Sequence, residues 1–350
     1  MGYEIDLQLL DTKLLSIVLQ PTSGKKGAAL HEKRAASQPR LLPMEDVPPL
    51  FSEAGRTQAT FYDFGSISIR FCWSLGQDVH DIEELPQLSQ RLYALDLERQ
   101  ARERIVELTR KIETAIAHPR LSPLVEDYYL FIIEELREPW SAEELYKQLR
   151  ADFAQILRFE TAPLSLVQQE EATRSKISYY SNDLVLLDWN AALIFDSDYA
   201  DTANLLERLN VELLEARYLD AQLDKSLNEY RRLVHTRPQW YFPLRTPYKR
   251  VVQDLGELRI EASLLAERVD NSLKIIGDQY LAGVYSAAAN RFYLREREII
   301  IERKLDILTS LYQLLIDRIR TAQSQMLELA IILLILIEIL MPLFNRLLAK

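Results

Sequence analysis

The sequence predicts an α+β N-terminal domain, followed by a long helical hairpin or coiled coil and a C-terminal transmembrane helix. Strand-like alternation of apolar and polar residues occurs only within residues 1–195, and every later apolar pattern has helical spacing. The last helix also loses its polar faces after Gln325. We therefore divide the chain into four parts: a mixed α+β domain (1–20 and 59–197), a Pro/Gly loop (21–58), a helical hairpin and coiled-coil stalk (198–326) and a transmembrane tail helix (327–344).

Composition narrows the class of protein. The chain has 350 residues, of which 48% are hydrophobic and 27% are charged, so it can bury a core and is not globally disordered. Its net charge of −10 argues against a generic nucleic-acid-binding domain, which would be basic. The single cysteine, Cys72, excludes a disulfide framework within one chain, and its apolar neighbours indicate a buried thiol.

The elements of the N-terminal domain follow from local patterns. Residues 59–75 are predicted to be β-structure: residues 66–71 alternate as a half-buried strand, and Asp63 and Gly65 indicate a turn before it. Residues 82–117 have helical spacing, and residues 126–135 form a buried apolar run typical of a strand. Ser141 is an N-cap that opens a helix to about residue 159, and residues 183–188 and 191–195 indicate a pair of strands.

The C-terminal part is predicted to be helical. A helix over 198–236 is broken by Pro238, Pro243 and Pro247, and a second helical stretch follows over 249–344. Its last fifty residues carry apolar side chains at alternating steps of four and three, the heptad register of a supercoiled seam. The seam comprises Ile301, Leu305, Leu308, Tyr312, Leu315, Ile319, Ala322, Met326, Leu329, Leu333, Leu336 and Leu340. The pattern predicts helix pairing and a homo-oligomer, although a partner helix in the same chain would satisfy it too.

The tail segment 327–344 is the predicted membrane span. Residues 329–337 are apolar on all faces, whereas a helix in water keeps a polar side. Glu338 is then an intramembrane polar residue, which either contacts another copy or lies at the membrane interface. A water-soluble coiled coil with an apolar end is the alternative. Because the N-terminus lacks an export signal, we expect an inner or cytoplasmic membrane location with the N-terminal domain on the cytosolic side.

No motif for catalysis, cofactor binding or metal binding is found, so we expect neither an enzyme nor a cofactor. The four histidines are scattered, and phosphate-binding and nucleophile motifs do not occur. Asp188, Asn190, Asp196 and Asp198 surround the strand pair. One interpretation is that these four residues form turns and helix caps. The alternative is an enzyme or ligand-regulated domain with an unrecognised site near 183–198.

A loop at 231–250 mixes basic and aromatic side chains, which suits RNA because bases stack on aromatic rings and phosphates pair with cations. Its candidate partner-binding residues are Arg231, Arg232, Arg237, Trp240, Tyr241, Arg245, Lys249 and Arg250. The alternatives for this loop are an anionic membrane surface, an acidic protein, or a packed turn between two helices.

The layout resembles the "required for meiotic nuclear division" family, a domain of unknown function in bacteria and mitochondria. The resemblance is carried by the strand around Gly65 (61–69), by residues 303–308, and by the tail 327–339, in which Glu328 and Glu338 match the family's pattern. It implies an inner-membrane anchor and, in mitochondria, a role near membrane-bound translation, with no known catalytic residues. The missing transit peptide and the added segment 198–250 suggest a bacterial member.

Together these features predict a tail-anchored, self-associating membrane scaffold that presents its α+β domain to a soluble partner. The expected partners are a lipid bilayer through 327–344, other copies of the chain and an unknown soluble protein. An RNA- or ribosome-facing membrane tether that uses 231–250 is the alternative.

Overall fold

A computed structural model describes residues 40–44, 55–75, 82–116, 121–136, 140–235 and 278–348, together with positions 10, 256, 259–260, 262–264 and 267. The chain divides into two compact units. The first contains Met1–Tyr218 and Ser263–Glu298, and the second contains Leu219–Ala262 and Ile299–Lys350. The first unit mixes strands and helices, and the described part of the second is helical. The α+β class with a helical C-terminal part is therefore confirmed.

The first unit opens with a three-stranded antiparallel sheet in the order β1–β2–β3. Its strands are β1 (Arg40–Pro43), β2 (Arg56–Phe61) and β3 (Ile67–Cys72). Gly65 has a φ of 89°, a value that glycine adopts without strain, and it forms the turn between β2 and β3 that the sequence predicted. Strand β1 forms within the stretch interpreted as a Pro/Gly loop, because pairing with β2 satisfies its backbone.

Helices α1 (Leu85–Tyr93) and α2 (Leu97–Lys111) replace the single helix predicted over 82–117. Asp96 separates them, and its carboxylate accepts the backbone N–H of Arg99 as the N-cap of α2. Leu108 and Ile112 lie in one apolar cluster with Leu42 and Phe61 of the small sheet. Cys72, which was expected to be buried, is exposed at the end of β3.

The second sheet has the order β4–β7–β6–β5, with β4 parallel to β7 and the other pairs antiparallel. Its strands are β4 (Tyr129–Ile133), β5 (Ser175–Ile177), β6 (Leu184–Leu187) and β7 (Ala191–Phe195). Every residue of β6 and β7 is buried. Such continuous burial is typical of strands that are covered on both faces.

The two faces of this sheet pack against different helices of the first unit. One face lies in an apolar cluster with α1 and with α3 (Ala142–Arg158). The other face packs against α5 (Ala200–His235) and α6 (Gln279–Arg291). A short helix, α4 (Leu166–Ala172), precedes β5; neither element was predicted. Ser141 caps α3 in a capping box with Glu144, as its position in the sequence indicated.

Helix α7 (Leu294–Leu348) follows α6 after a break at Phe292 and Tyr293. The break interrupts the continuous helical stretch predicted over 249–344, and it lies after Gly283, which is inside α6. Tyr293 adopts a φ of 56°, a left-handed conformation that commonly ends a helix but is usually occupied by glycine. With 55 residues, α7 is about 80 Å long at about 1.5 Å per residue.

Candidate interaction surface and charge cluster

The predicted heptad seam lies on α7, and its first part is buried within the chain. Ile301, Leu305 and Leu308 are all buried, as are Leu219 and Leu223 in the part of α5 that belongs to the same unit. Helical periodicity places the three seam residues on one side of α7. This stretch of the seam therefore has an apolar environment supplied by its own chain.

An ion-pair group links α7 to α5 beside this buried stretch. The ammonium nitrogen of Lys304 lies 2.6 Å from Asp220 Oδ1 and 2.7 Å from Asp224 Oδ1. Burial lowers the pKa of Lys304, but the hydrogen bonds to both aspartates outweigh this and raise it above the usual lysine value. Lys304 thus identifies α5 as a helix that flanks the seam here.

Farther along α7 the seam becomes exposed. Tyr312 is half-buried, the side chains of Leu315 and Ile319 lie outside the described residues, and Met326 is exposed. Beyond Met326 every described side chain through Met341 is exposed. At the seam positions Leu333 and Leu336 the exposed fractions are 59% and 53%. Large apolar surface left open over several turns commonly marks an interaction site.

The prediction of a transmembrane tail at 327–344 is wrong: among the residues that the structure describes, no helix is long and apolar enough to cross a membrane. The uninterrupted apolar run, 329–337, is bounded by Glu328 and Glu338. Its length is about 14 Å, against about 30 Å for the hydrocarbon core of a bilayer. The predicted membrane location and lipid anchor are wrong with it, and Glu338 is an exposed residue of α7 rather than an intramembrane group.

Only the start of the predicted basic–aromatic loop can be placed. Arg231 is exposed in the last turns of α5, and Arg232 is next to it in the same helix. The remaining candidates of that loop lie outside the described residues: Arg237, Trp240, Tyr241, Arg245, Lys249 and Arg250.

A second notable feature is a carboxylate buried at one end of the four-stranded sheet. Asp188 follows β6 and has a solvent-exposed fraction of 0%. Its backbone N–H donates to the carbonyl oxygen of Ala191 (2.8 Å), which closes a hairpin turn with Trp189 and Asn190 at its tip. Its Oδ1 also accepts the backbone N–H of Trp189 at 2.8 Å. The hairpin therefore fixes both the backbone and the side chain of Asp188.

Two arginines neutralise this carboxylate, and each is the last residue of a helix. Arg158 ends α3, and its Nε lies 2.7 Å from Asp188 Oδ2. Arg291 ends α6; its Nε donates to Asp188 Oδ1 at 3.2 Å, and its Nη2 pairs with the same oxygen. Because α3 and α6 cover opposite faces of the sheet, Asp188 ties both helical layers to the end of the hairpin. A buried carboxylate needs such compensation, because removing an isolated charge from water is costly.

Two further side chains complete the cluster. Glu171 of α4 pairs with Arg291 at 2.9 Å, and this guanidinium holds the pKa of the Glu171 carboxyl below its usual value. The hydroxyl oxygen of Tyr128 lies 3.0 Å from the carbonyl oxygens of both Asp188 and Ala191. Burial, together with the negative charge of Asp188, raises the pKa of Tyr128 well above its usual value. Tyr128 is therefore a neutral hydrogen-bond donor to the hairpin.

The structure separates Asp188 from the acidic residues that the sequence grouped with it. Asp196 follows β7, so the length of a five-residue strand lies between it and Asp188. Asp196 accepts the backbone N–H of Asp198 at 2.8 Å, and Asp183 accepts those of Tyr179 and Tyr180. Both are turn contacts. No group of acidic, histidine or cysteine side chains suited to a metal ion occurs among the described residues.

Sequence reasoning singled out Asp188 but missed its partners. Arg158 and Arg291 lie far from it in the chain, and only the packing of two helices on one hairpin brings all three together. One signal was available for Arg158, which lies at the predicted end of its helix, where a cation is favoured by the helix dipole and can extend past the last turn. No such signal pointed to Arg291, because the sequence predicted a continuous helical stretch there.

The fold defines a chain with one mixed α+β unit and one unit whose described part is helical, and comparison with known proteins assigns the chain to a family. Residues 1–202 match the N-terminal domain family of the uncharacterized protein MJ0711, and the chain belongs to that family. The resemblance to the "required for meiotic nuclear division" family is therefore wrong: the motifs around Gly65 and the tail were too short to be specific, since a turn glycine and an apolar helix recur in unrelated proteins.

One relative shows how far the similarity extends. The uncharacterized protein MJ0711 of Methanocaldococcus jannaschii is 27% identical over 227 residues, which cover 63% of this chain and 66% of that protein. The alignment thus spans slightly less than two thirds of the relative. No solved structure matches the chain.

Proposed function

We propose that this protein is a self-associating interaction protein: copies join through the C-terminal part of α7 and present their α+β domains to a soluble partner. The observation that carries the proposal is the change in burial along one continuous seam. Ile301, Leu305 and Leu308 are buried within the chain, whereas Met326 and Leu329 in the same register are exposed.

The occupant that fits this surface best is another copy of the same helix. A heptad seam is matched by a helix with the same spacing of apolar residues, because each side chain enters a gap between four residues of its neighbour. The exposed segment of α7 has that spacing. A second copy of the chain supplies the required partner without any further component.

The free energy available from burying the exposed seam is comparable to the free energy that association costs. Completing the burial of a half-exposed Leu, Ile or Met contributes roughly 1 kcal/mol, half of the value for a fully exposed side chain. The exposed seam positions in each copy are Met326, Leu329, Leu333, Leu336 and Leu340. A pair of helices therefore gains on the order of 10 kcal/mol, similar to the 4–15 kcal/mol that association costs. The burial of two seams therefore contributes about as much free energy as association costs.

The test is the mass of the full-length protein in solution, measured by light scattering after size exclusion over a range of concentrations. We expect an oligomer that is lost in a variant with Leu333→Lys and Leu336→Lys, because two charges then enter the seam. Leu314→Lys is a matched control, since Leu314 is exposed on the same helix outside the seam.

A wild-type protein that remains monomeric at tens of micromolar would overturn the proposal. Equal association of the seam variant and the wild type would also overturn it. So would capture of monomers by phospholipid vesicles through this segment, because a lipid surface would then be the occupant.

The RNA-facing alternative has a separate test, since it depends on the basic residues of 231–250. It predicts RNA binding that weakens steeply with salt, because released counterions drive such binding. Neutralising Arg231, Arg232, Lys249 and Arg250 should then abolish binding, and an unchanged affinity would exclude this surface. The alternative of a catalytic or ligand site near 183–198 is less favoured, because Asp188 is already engaged by Arg158 and Arg291.

A further inference from the structure

We propose that the outer edge of strand β4 binds an extended segment of the soluble partner as an added strand. This segment carries apolar residues in its middle and lysine or arginine at both ends. The inference rests on the proposed function, because it specifies the partner of the α+β domain. It follows from the position of β4 in the sheet, from its composition and from the charges beyond its ends.

The backbone of β4 has hydrogen-bonding groups that face away from the sheet. β4 is the last strand in the order β4–β7–β6–β5. The N–H of Tyr129 donates to the residue before β7, and the carbonyl oxygen of Ile133 accepts the N–H of the residue after β7, both at 3.1 Å. Because alternate residues of a strand turn their N–H and C=O groups to opposite edges, those of Leu130 and Ile132 point away from β7. Within the described ranges, no residue forms a backbone hydrogen bond with these outward groups.

β4 also lacks the features that usually protect an open edge. Natural edge strands avoid unwanted pairing by carrying a charge or a proline, by bulging or by being very short. The opposite edge strand, β5, has three residues and contains Lys176. In the small sheet, the edge strand β1 contains Arg40 and Pro43, and β3 contains Arg70. The five residues of β4 are all aromatic or aliphatic, so this edge is the one best suited to pairing with another strand.

An added strand would complete the burial of the β4 side chains. Leu130 and Ile132 lie against the apolar cluster that contains α5 and α6. Tyr129, Phe131 and Ile133 lie against the cluster that contains α1 and α3. All five are only partly buried. An extended segment at this edge would therefore gain affinity from the backbone and specificity from side chains on both faces.

Carboxylates lie beyond both ends of β4. Asp127 precedes the strand, Glu134 and Glu135 follow it, and all three are exposed. In the part of the chain that the structure describes, none of these three forms an ion pair. Basic side chains at the two ends of an added segment would meet these charges, which gives the partner its expected chemistry.

A second copy of β4 fits this edge poorly. Two β4 strands paired antiparallel about Phe131 would place Asp127 opposite Glu135, and in a parallel pair each acidic residue would lie beside its own copy. Like charges in such positions are destabilising. The occupant that fits is therefore a different segment with basic ends, which we assign to the soluble partner.

The experiment measures binding of a short peptide to the full chain by isothermal titration calorimetry at low salt. The peptide has a core of alternating valine and threonine residues with two lysines at each end. We expect binding that weakens as salt is added, and no binding when glutamates replace the lysines. Glu134→Gln with Glu135→Gln should lower the affinity roughly fivefold, because exposed ion pairs are individually weak. Glu83→Gln with Glu84→Gln is a matched control at an exposed pair before α1, and it should leave the affinity unchanged.

Two methylated peptides test the backbone pairing separately from the charges. Methyl groups on alternate backbone nitrogens remove the donors along one edge of the peptide, and methyl groups on the other set remove those along the opposite edge. Only the edge that faces β4 is required. One methylated peptide should therefore bind like the unmodified peptide, and the other should not bind.

The outcomes separate this inference from self-association through α7. No binding of the lysine peptide, equal binding of the two methylated peptides, or the same loss of affinity in both double variants would overturn the inference. A monomeric protein that binds the peptide as expected would refute self-association alone. An oligomer that does not bind it would refute the role of the β4 edge alone.

Discussion

Replacing Asp188 with asparagine should destabilise the first unit by about 3 kcal/mol. The substitution preserves the shape of the side chain and an oxygen for the backbone N–H of Trp189, but it removes the charge. Arg158 and Arg291, both mostly buried, then lose the carboxylate between them. Removing one partner of a buried ion pair costs about 3–5 kcal/mol. We expect a cost at the lower end of this range, because both guanidiniums are partly exposed to solvent and Arg291 retains its ion pair with Glu171.

Urea unfolding followed by circular dichroism measures this effect as a lower midpoint with an unchanged slope. A loss below about 1 kcal/mol would refute the reasoning, because the arginines would then be hydrated well enough to do without Asp188.

A double-mutant cycle with Arg158→Met isolates the interaction between Asp188 and Arg158. The two changes together should cost less than the sum of their separate effects by more than about 1 kcal/mol, because residues in contact are coupled. Additive effects would show that Asp188 stabilises the hairpin without Arg158.

Ser141→Ala should cost about 1 kcal/mol because it removes the N-cap of α3, while Ser141→Thr should keep most of that stability, both measured by urea unfolding. Tyr293→Gly should add about 1 kcal/mol by relieving the left-handed backbone at the end of α6, and Tyr293→Ala should not, since alanine keeps the strain. The pKa of Glu171, lowered by Arg291 from its usual value of 4.5, means that the folded protein binds fewer protons there. Its contribution, at most about 1 kcal/mol, is complete above that usual value and lost as pH falls through the lowered pKa. Glu171→Gln should flatten the stability profile as the pH falls below 4.5, and an unchanged profile would contradict this assignment.

Local patterns predicted several elements well because each residue type acts on its own neighbourhood. The capping serine at 141, the apolar strands β6 and β7 and the helical spacing of α5 all lie where the sequence placed them. Strand β1 was missed because a four-residue segment between prolines carries little periodic signal, and its pairing with β2 is decided by tertiary contact.

The candidate surfaces differ in how much of each could be predicted. The seam of α7 was found because a heptad repeat is a property of one continuous segment. The charge cluster was not found as a unit, since Arg158, Asp188 and Arg291 come from three separate elements. Cys72 was misjudged for a similar reason: its neighbours are apolar, but its own side chain leaves β3 on the solvent side.

From the sequence by itself came the α+β class, the helical C-terminal part and the register of the seam on α7, because periodicity along a chain directly sets which side chains share a face. Only the tertiary structure decided where that seam is covered by the chain and where it is open, and which cations meet Asp188. Those features depend on distances between segments that are remote in the chain, and such distances are set by packing rather than by spacing.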